Sequence, residues 1–381
     1  MARARSGGSV KPKLNILAYG PTGSGKSTIL LQMAYFKRED GTPFRILLID
    51  CESGGADECL NELEENGINT ENIYVVYTQS IKEAKDYINK VRDHEPFYVL
   101  DENGDETDEI VQDGYGQQFV ADAIVLDGTS VLKLTNTQSL LDLSRKRNKI
   151  KAEKSGATSE EKFVATANAN LELKDYSQLN YSGQDLVLTL MACGAHVGIT
   201  AREKEKTESI KDDSGIVTNV VTGKTFDSYK GMDYNVKTIL RMFRDEEDQV
   251  CCVVEKDRMR RHPVGTVLED PSLLDWEEII AKNKDKKEFT IKNDLNQAIE
   301  TDYKIFEKQI LGAESESELK GEVDVEDIND LKAEIKAIIQ KLSPVDKKAM
   351  QGKLTEAGLP TAYNKVADAE TLKQILSVVS A

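Results

Sequence analysis

An α/β fold with a mostly parallel central sheet, followed by a small C-terminal helical module, is predicted by three features of the 381-residue chain. Short apolar runs rich in branched residues alternate with helical patterns, as in successive βαβ units. The apolar runs lack polar alternation, which marks strands covered on both faces. One strand-to-helix junction is a glycine-rich loop of fixed spacing.

The elements follow in order. "LNILAY" (14–19) reads as the first strand and "STILLQMAYF" (27–36) as a helix. "FRILLID" (44–50) is the second strand, and "ADECLNELEENG" a helix ending near Gly67. "IYVVYT" is the next strand and "SIKEAKDYINKVRD" an amphipathic helix. Residues 94–118 are acidic and turn-rich and read as an inserted hairpin or loop. "ADAIVLDG" (121–128) is the strongest buried strand, and a long polar insertion follows over 135–182. "GQDLVLTLMACG" reads as a buried helix and "AHVGITA" as a strand. A hydrophilic excursion over about 202–232 has a hairpin in "GIVTNVVTGKTFDSY". "VKTILRMFR" and "DQVCCVVEKDR" are late strands joined by a "DEED" turn. This assigns 1–13 to a flexible basic tail, 14–310 to the core, 311–327 to an acidic, serine-containing linker and 328–381 to the helical module.

The junction loop "GPTGSGKST" fits G-x-x-x-x-G-K-[ST] and has the strand before and the helix after that the motif demands. Gly20, Pro21, Thr22, Gly23, Ser24, Gly25, Lys26, Ser27 and Thr28 are therefore expected to cradle the phosphates of ATP. Glycines let successive amides face one phosphate-sized cavity. Lys26 would reach the β- and γ-phosphates, and Ser27 would ligate Mg²⁺. Asp127 ends the strongest buried strand, the usual place for the second Mg²⁺-side group. The next residue is Gly128, not glutamate, so a water-activating base must come from elsewhere. Glu52, just past the end of the second strand, opens on the same crevice in a parallel sheet and is the candidate.

The formal net charge of −17 argues against a surface basic throughout, though local patches can still attract a polyanion. The five cysteines lack C-x-x-C spacing and the three histidines are scattered, so no zinc site is expected and a reducing, cytoplasmic setting fits. No apolar run reaches the ~18 residues of a membrane-spanning helix, and "MARARSGGSVKPK" lacks the apolar stretch of a secretory signal.

In this order of elements the chain resembles the RecA/RadA branch of P-loop ATPases, most nearly the compact RecA-like ATPases of bacteriophages associated with single-strand annealing and recombination. The likeness covers about residues 13–270. It rests on the phosphate loop, on "IDCE", where Asp50-Cys51-Glu52 matches a strand-end D-x-E, on "IVLDG", and on "VVEKDRMRR". That last match implies that Lys256 and Arg258 reach the γ-phosphate of a neighbouring subunit. Asp257 stands where the family has asparagine. Thr200, at the end of "GIT", takes the sensor position, where the family usually has an Asn-Gln or similar polar pair. The resemblance implies single-stranded DNA as a partner, contacted by the two hydrophilic stretches, and self-association into a ring or filament. The first stretch holds Arg145, Lys146, Arg147, Lys149, Lys151 and Lys154, with Tyr176 and Tyr181 nearby for base stacking. The rival readings are a ring helicase or translocase, a nucleotide-gated assembly protein with little turnover and, more weakly, a small-molecule kinase. The C-terminal module is a candidate docking site for a protein partner.

Overall fold

The computed structural model describes residues 10–281 apart from 53, 103, 105 and 212–216, together with scattered positions between 298 and 380. The main sheet runs in the order β11-β10-β9-β1-β7-β6-β2-β3. Six of its strands are parallel, with β3 at one edge: β9 (Thr238–Arg244), β1 (Asn15–Gly20), β7 (His196–Lys211), β6 (Ala123–Asp127), β2 (Ile46–Asp50) and β3 (Ile73–Tyr77). β10 (Val250–Asp257) and β11 (Val267–Glu269) close one edge in antiparallel pairing.

Successive side chains of a strand point to opposite faces, and this splits the core in two. Leu17, Tyr19, Leu47, Ile49, Ile124 and Leu126 pack with α3 (Ile81–Asp93) and α6 (Leu173–Ala192). Ile16, Ala18, Ile46, Leu48, Ala123 and Val125 pack with α1 (Lys26–Leu31) and α2 (Asp57–Glu65). β1, β2 and β6 are buried along their whole length, which is why they read as unbroken apolar runs. All six parallel strands point their carboxyl ends the same way, so the loops after β1, β2, β6 and β7 meet along one edge.

The acidic insertion is an antiparallel hairpin of β4 (Tyr98–Leu100) and β5 (Glu106–Ile110). It is tied down where Phe97 meets Phe119 edge-on, ring centroids 5.5 Å apart.

Two segments differ from the sequence expectation. The polar stretch after Asp127 is helical: α4 (Thr129–Lys154), α5 (Ser159–Ala167) and the long α6, which begins ten residues before the predicted "GQDLVLTLMACG" helix. α4 shows no continuous apolar stripe, because only scattered positions such as Leu132, Leu140 and Ser144 are buried. The hairpin is also elsewhere. β7 continues through "REKEKTESIK" and pairs with β8 (Val217–Asp227), so "GIVTNVVTGKTFDSY" supplies one arm, not both. The ladder sets Glu205 opposite Lys224 and Lys211 opposite Val217, pairings that suit an exposed ribbon.

Residues 1–9 of the basic tail lie outside the described residues. Lys11 pairs with Glu39, and the Lys13 carbonyl accepts from Lys237 Nζ at 2.7 Å. The chain divides into Met1–Leu295 and Asn296–Ala381. In the second unit Ile335, Met350, Leu354, Leu372, Ile375 and Val379 form a separate apolar core that includes the helix Ala369–Ser380. The acidic stretch 311–327 lies outside the described residues.

Candidate nucleotide site

The loop after β1 is shaped by its neighbours. A Cβ on Gly20 would strike the Met242 carbonyl of β9. Gly25 has φ of 82°, and a Cβ there would sit 3.2 Å from Val250 of β10. Glycine is required at both positions for the sheet edge to approach the loop. Ser24 Oγ and Lys26 Nζ both donate to the Pro21 carbonyl, at 2.8 and 2.7 Å. Arg244, at the end of β9, donates to the Gly23 carbonyl at 2.7 Å and to the Asp248 carbonyl at 2.6 Å. The β9–β10 turn thereby clamps the loop. Pro21, Thr22 and Gly23 are exposed at its tip, and the Thr28 hydroxyl lies 3.3 Å from Cys59 Sγ. Burial pushes the Lys26 ammonium below its ordinary range, while Glu52 and Asp127 pull it back.

Asp127 is the centre of a hydroxyl–carboxylate chain. Ser27 Oγ donates to its Oδ2 at 2.7 Å, and Thr200 Oγ1 donates to its Oδ1. Thr200 Oγ1 in turn accepts from Gly128 N at 2.7 Å. Burial raises the Asp127 carboxyl above its usual range, and the two hydroxyls oppose that shift. Thr200 is 1% exposed. It stands behind Asp127, so its hydroxyl is committed to fixing that carboxylate instead of facing open solvent.

Asp50, paired in register with Asp127, builds the turn that carries Glu52. Its Oδ1 accepts from Glu52 N and its Oδ2 from Gly54 N, each at 2.7 Å. Glu52 then leans across Gly128 and accepts from Arg202 Nε at 3.0 Å. Nothing in the sequence pattern singles out Arg202. It follows the last buried residue of β7 and stands in register with Gly20, which places it at the mouth of the phosphate loop.

Lys256 and Arg258 lie elsewhere. β10 runs antiparallel, and Asp257 is level with Thr238, which pairs with Ile16, near the start of β1 and away from Gly20. Lys256 Nζ donates to the Asp233 carbonyl and, at 2.6 Å, to the Val236 carbonyl of its own chain. Lys256 lies in β10, which ends at Asp257, so Arg258 is not on the strand. The Asp257 carboxylate accepts from the amides of Met259, Arg261 and His262 and turns the chain, leaving Arg258 exposed beyond the strand.

The basic stretch of α4 is partly matched by acids of the same chain. Arg145 pairs with Asp142 at 2.8 Å, Arg147 with Asp175 at 2.6 Å, and Lys151 with Glu172 at 3.7 Å. Tyr176 is about half exposed on α6.

No group of three or more His, Cys, Asp or Glu side chains suited to a metal occurs among the described residues. Mg²⁺ takes one or two protein oxygens and completes its shell from phosphate and water. Ser27 Oγ and the desolvated Asp127 carboxylate supply hard oxygen donors of that kind. Among the described residues no helix is long and apolar enough to cross a membrane.

The parallel sheet, the phosphate loop after β1 and the paired ends of β2 and β6 agree with the RecA-like core that the motif order implied. No protein-family model matches the chain, and no curated protein matches it. Solved structures do. Among them is a KaiC-like protein from the hyperthermophilic archaeon Pyrococcus horikoshii, 13% identical, covering 68% of this chain and 91% of that one with a TM-score of 0.37. At that similarity the match adds no functional information to the geometry.

Proposed function

We propose that the chain is a RecA-like ATPase that hydrolyses ATP with Mg²⁺ and acts as an oligomer on single-stranded DNA, in recombination or annealing of the phage type. One observation carries the hydrolytic part: Glu52 is delivered by the Asp50 turn to the edge where Ser27 and Asp127 are already joined. A carboxylate there can orient a water toward a γ-phosphate held by the loop. Lys26 leaves the Pro21 carbonyl to bind β- and γ-phosphate oxygens. Ser27 and Asp127 would hold Mg²⁺, which when bound offsets charge on those oxygens. Thr200 keeps Asp127 oriented. Asp127 stays a ligand, and Glu52 is the group that meets the water.

Support for a nucleic-acid partner is more general. The β7–β8 ribbon leaves the sheet at the nucleotide edge, and Arg202, Lys204 and Lys206 alternate onto one of its faces. An isolated two-stranded ribbon gains little stability by itself, so a partner on it is expected. Lys256 and Arg258, remote from their own phosphate loop, are assigned to the neighbour's nucleotide. The test is ATP turnover with and without single-stranded DNA, measured together with oligomer size. Turnover stimulated by DNA supports the reading. Assembly on ATP with no turnover favours a nucleotide-gated assembly protein, and unwinding with polarity favours a helicase.

A further inference from the structure

We infer that Arg202 binds the γ-phosphate of ATP: its side chain pairs with Glu52 at the mouth of the phosphate loop, and a γ-phosphate there draws it away and frees the Glu52 carboxylate for water. The inference rests on the nucleotide reading above and adds to it a cation in the same subunit.

The first support is the partner Arg202 keeps. By register it faces Asp227 across the ribbon. That carboxylate is already taken by Lys133 at 2.7 Å and Lys204 at 3.2 Å. Arg202 therefore turns to Glu52, 150 residues away in sequence, with Nε 3.0 Å from Oε1. The second is the contrast between its backbone and its side chain. Arg202 N donates to Ser130 Oγ at 2.8 Å, and Ser130 Oγ donates to the Asp227 carbonyl, so α4 and β8 fix the main chain. The side chain is 58% exposed and can swing without disturbing the sheet.

The third is charge. Lys26 and Arg202 are balanced by Glu52 and Asp127, and all three partners act on the Lys26 ammonium. A γ-phosphate brings further negative charge to the loop mouth. It repels Glu52 and attracts a planar, bidentate donor. ADP lacks that group, so with ADP the Arg202–Glu52 pair persists. The Glu52 carboxylate is thereby released only when a γ-phosphate is bound.

The experiment measures affinities of the full-length protein for ADP and for a slowly hydrolysed ATP analogue with an intact γ-phosphate, in wild type, Arg202→Ala, Arg202→Lys and Lys26→Ala. Arg202→Ala should lose about tenfold in analogue affinity, the scale of one charge-assisted hydrogen bond, and keep ADP affinity within about twofold. Arg202→Lys should fall between, because it keeps the charge but not the fork. In Glu52→Gln the analogue should bind more tightly than in wild type, since the competing carboxylate is gone. Equal loss for both nucleotides in Arg202→Ala, or no loss for either, would overturn the inference while leaving the nucleotide site intact. Unaltered binding of both nucleotides by Lys26→Ala would instead overturn the reading on which it rests.

Discussion

The Glu52 side chain lies directly over Gly128: a Cβ built on Gly128 would stand 2.6 Å from Glu52 Cγ. Gly128 thus leaves the room that the Glu52 side chain, arriving from the end of β2, occupies. Gly128 also has φ of 95° at the start of α4, a conformation that disfavours other residues.

Gly128→Ala should therefore push Glu52 off its station. Turnover is expected to fall at least ~10-fold, as a small misplacement can cause, with nucleotide affinity changed much less. Steady-state kinetics with a parallel binding measurement check this. Unchanged turnover would show that Glu52 is not held there for catalysis.

Arg244 ties the β9–β10 turn to the tip of the phosphate loop through the Gly23 carbonyl. Arg244→Ala should weaken binding of ATP and ADP alike, by about tenfold, the scale of one lost charge-assisted hydrogen bond. Calorimetric titration with each nucleotide reads this directly. A loss confined to ATP would place Arg244 at the γ-phosphate instead.

Arg258 is exposed and remote from its own loop, so the neighbour reading predicts complementation. Arg258→Ala and Lys26→Ala should each be inactive alone. Mixed, they recover one working site where an intact loop meets an intact Arg258, and activity rises with protein concentration. A co-assembled mixture without activity would return Arg258 to the solvated surface.

His196 gives a pH signature for the fold. Its Nδ1 accepts from Leu14 N, and burial, with Lys13 and Lys237 nearby, pushes its pKa down to about 3. The folded protein refuses a proton that the unfolded chain binds near its ordinary value of ~6.5. Stability is therefore lost as pH falls below that value, by about 2 kcal/mol between pH 7 and pH 5. Denaturant titrations should show a shallower pH dependence for His196→Gln, which can still accept from Leu14 N. Parallel pH profiles would contradict this.

The inner strands and the phosphate loop were legible because full burial leaves an unbroken apolar run and because the loop spacing is rigidly constrained. The place of Glu52 on the nucleotide edge was legible from the end of β2 in a parallel sheet. α4 was not, since its few buried positions form no stripe. Arg202 was not, because its role depends on Lys133 and Lys204 occupying Asp227, a relationship among four residues on three elements. The turn at Asp257 was not, because it is made by one carboxylate that accepts from amides two to five residues ahead, which no apolar pattern marks.

The central claim is that Glu52 acts on water and not on nucleotide. Single-turnover hydrolysis of ATP by Glu52→Gln, alongside equilibrium ATP binding, tests it most directly. Binding at least as tight as wild type is expected, with hydrolysis slowed by about 10²-fold or more, the scale of a lost general base. Hydrolysis near the wild-type rate would contradict it.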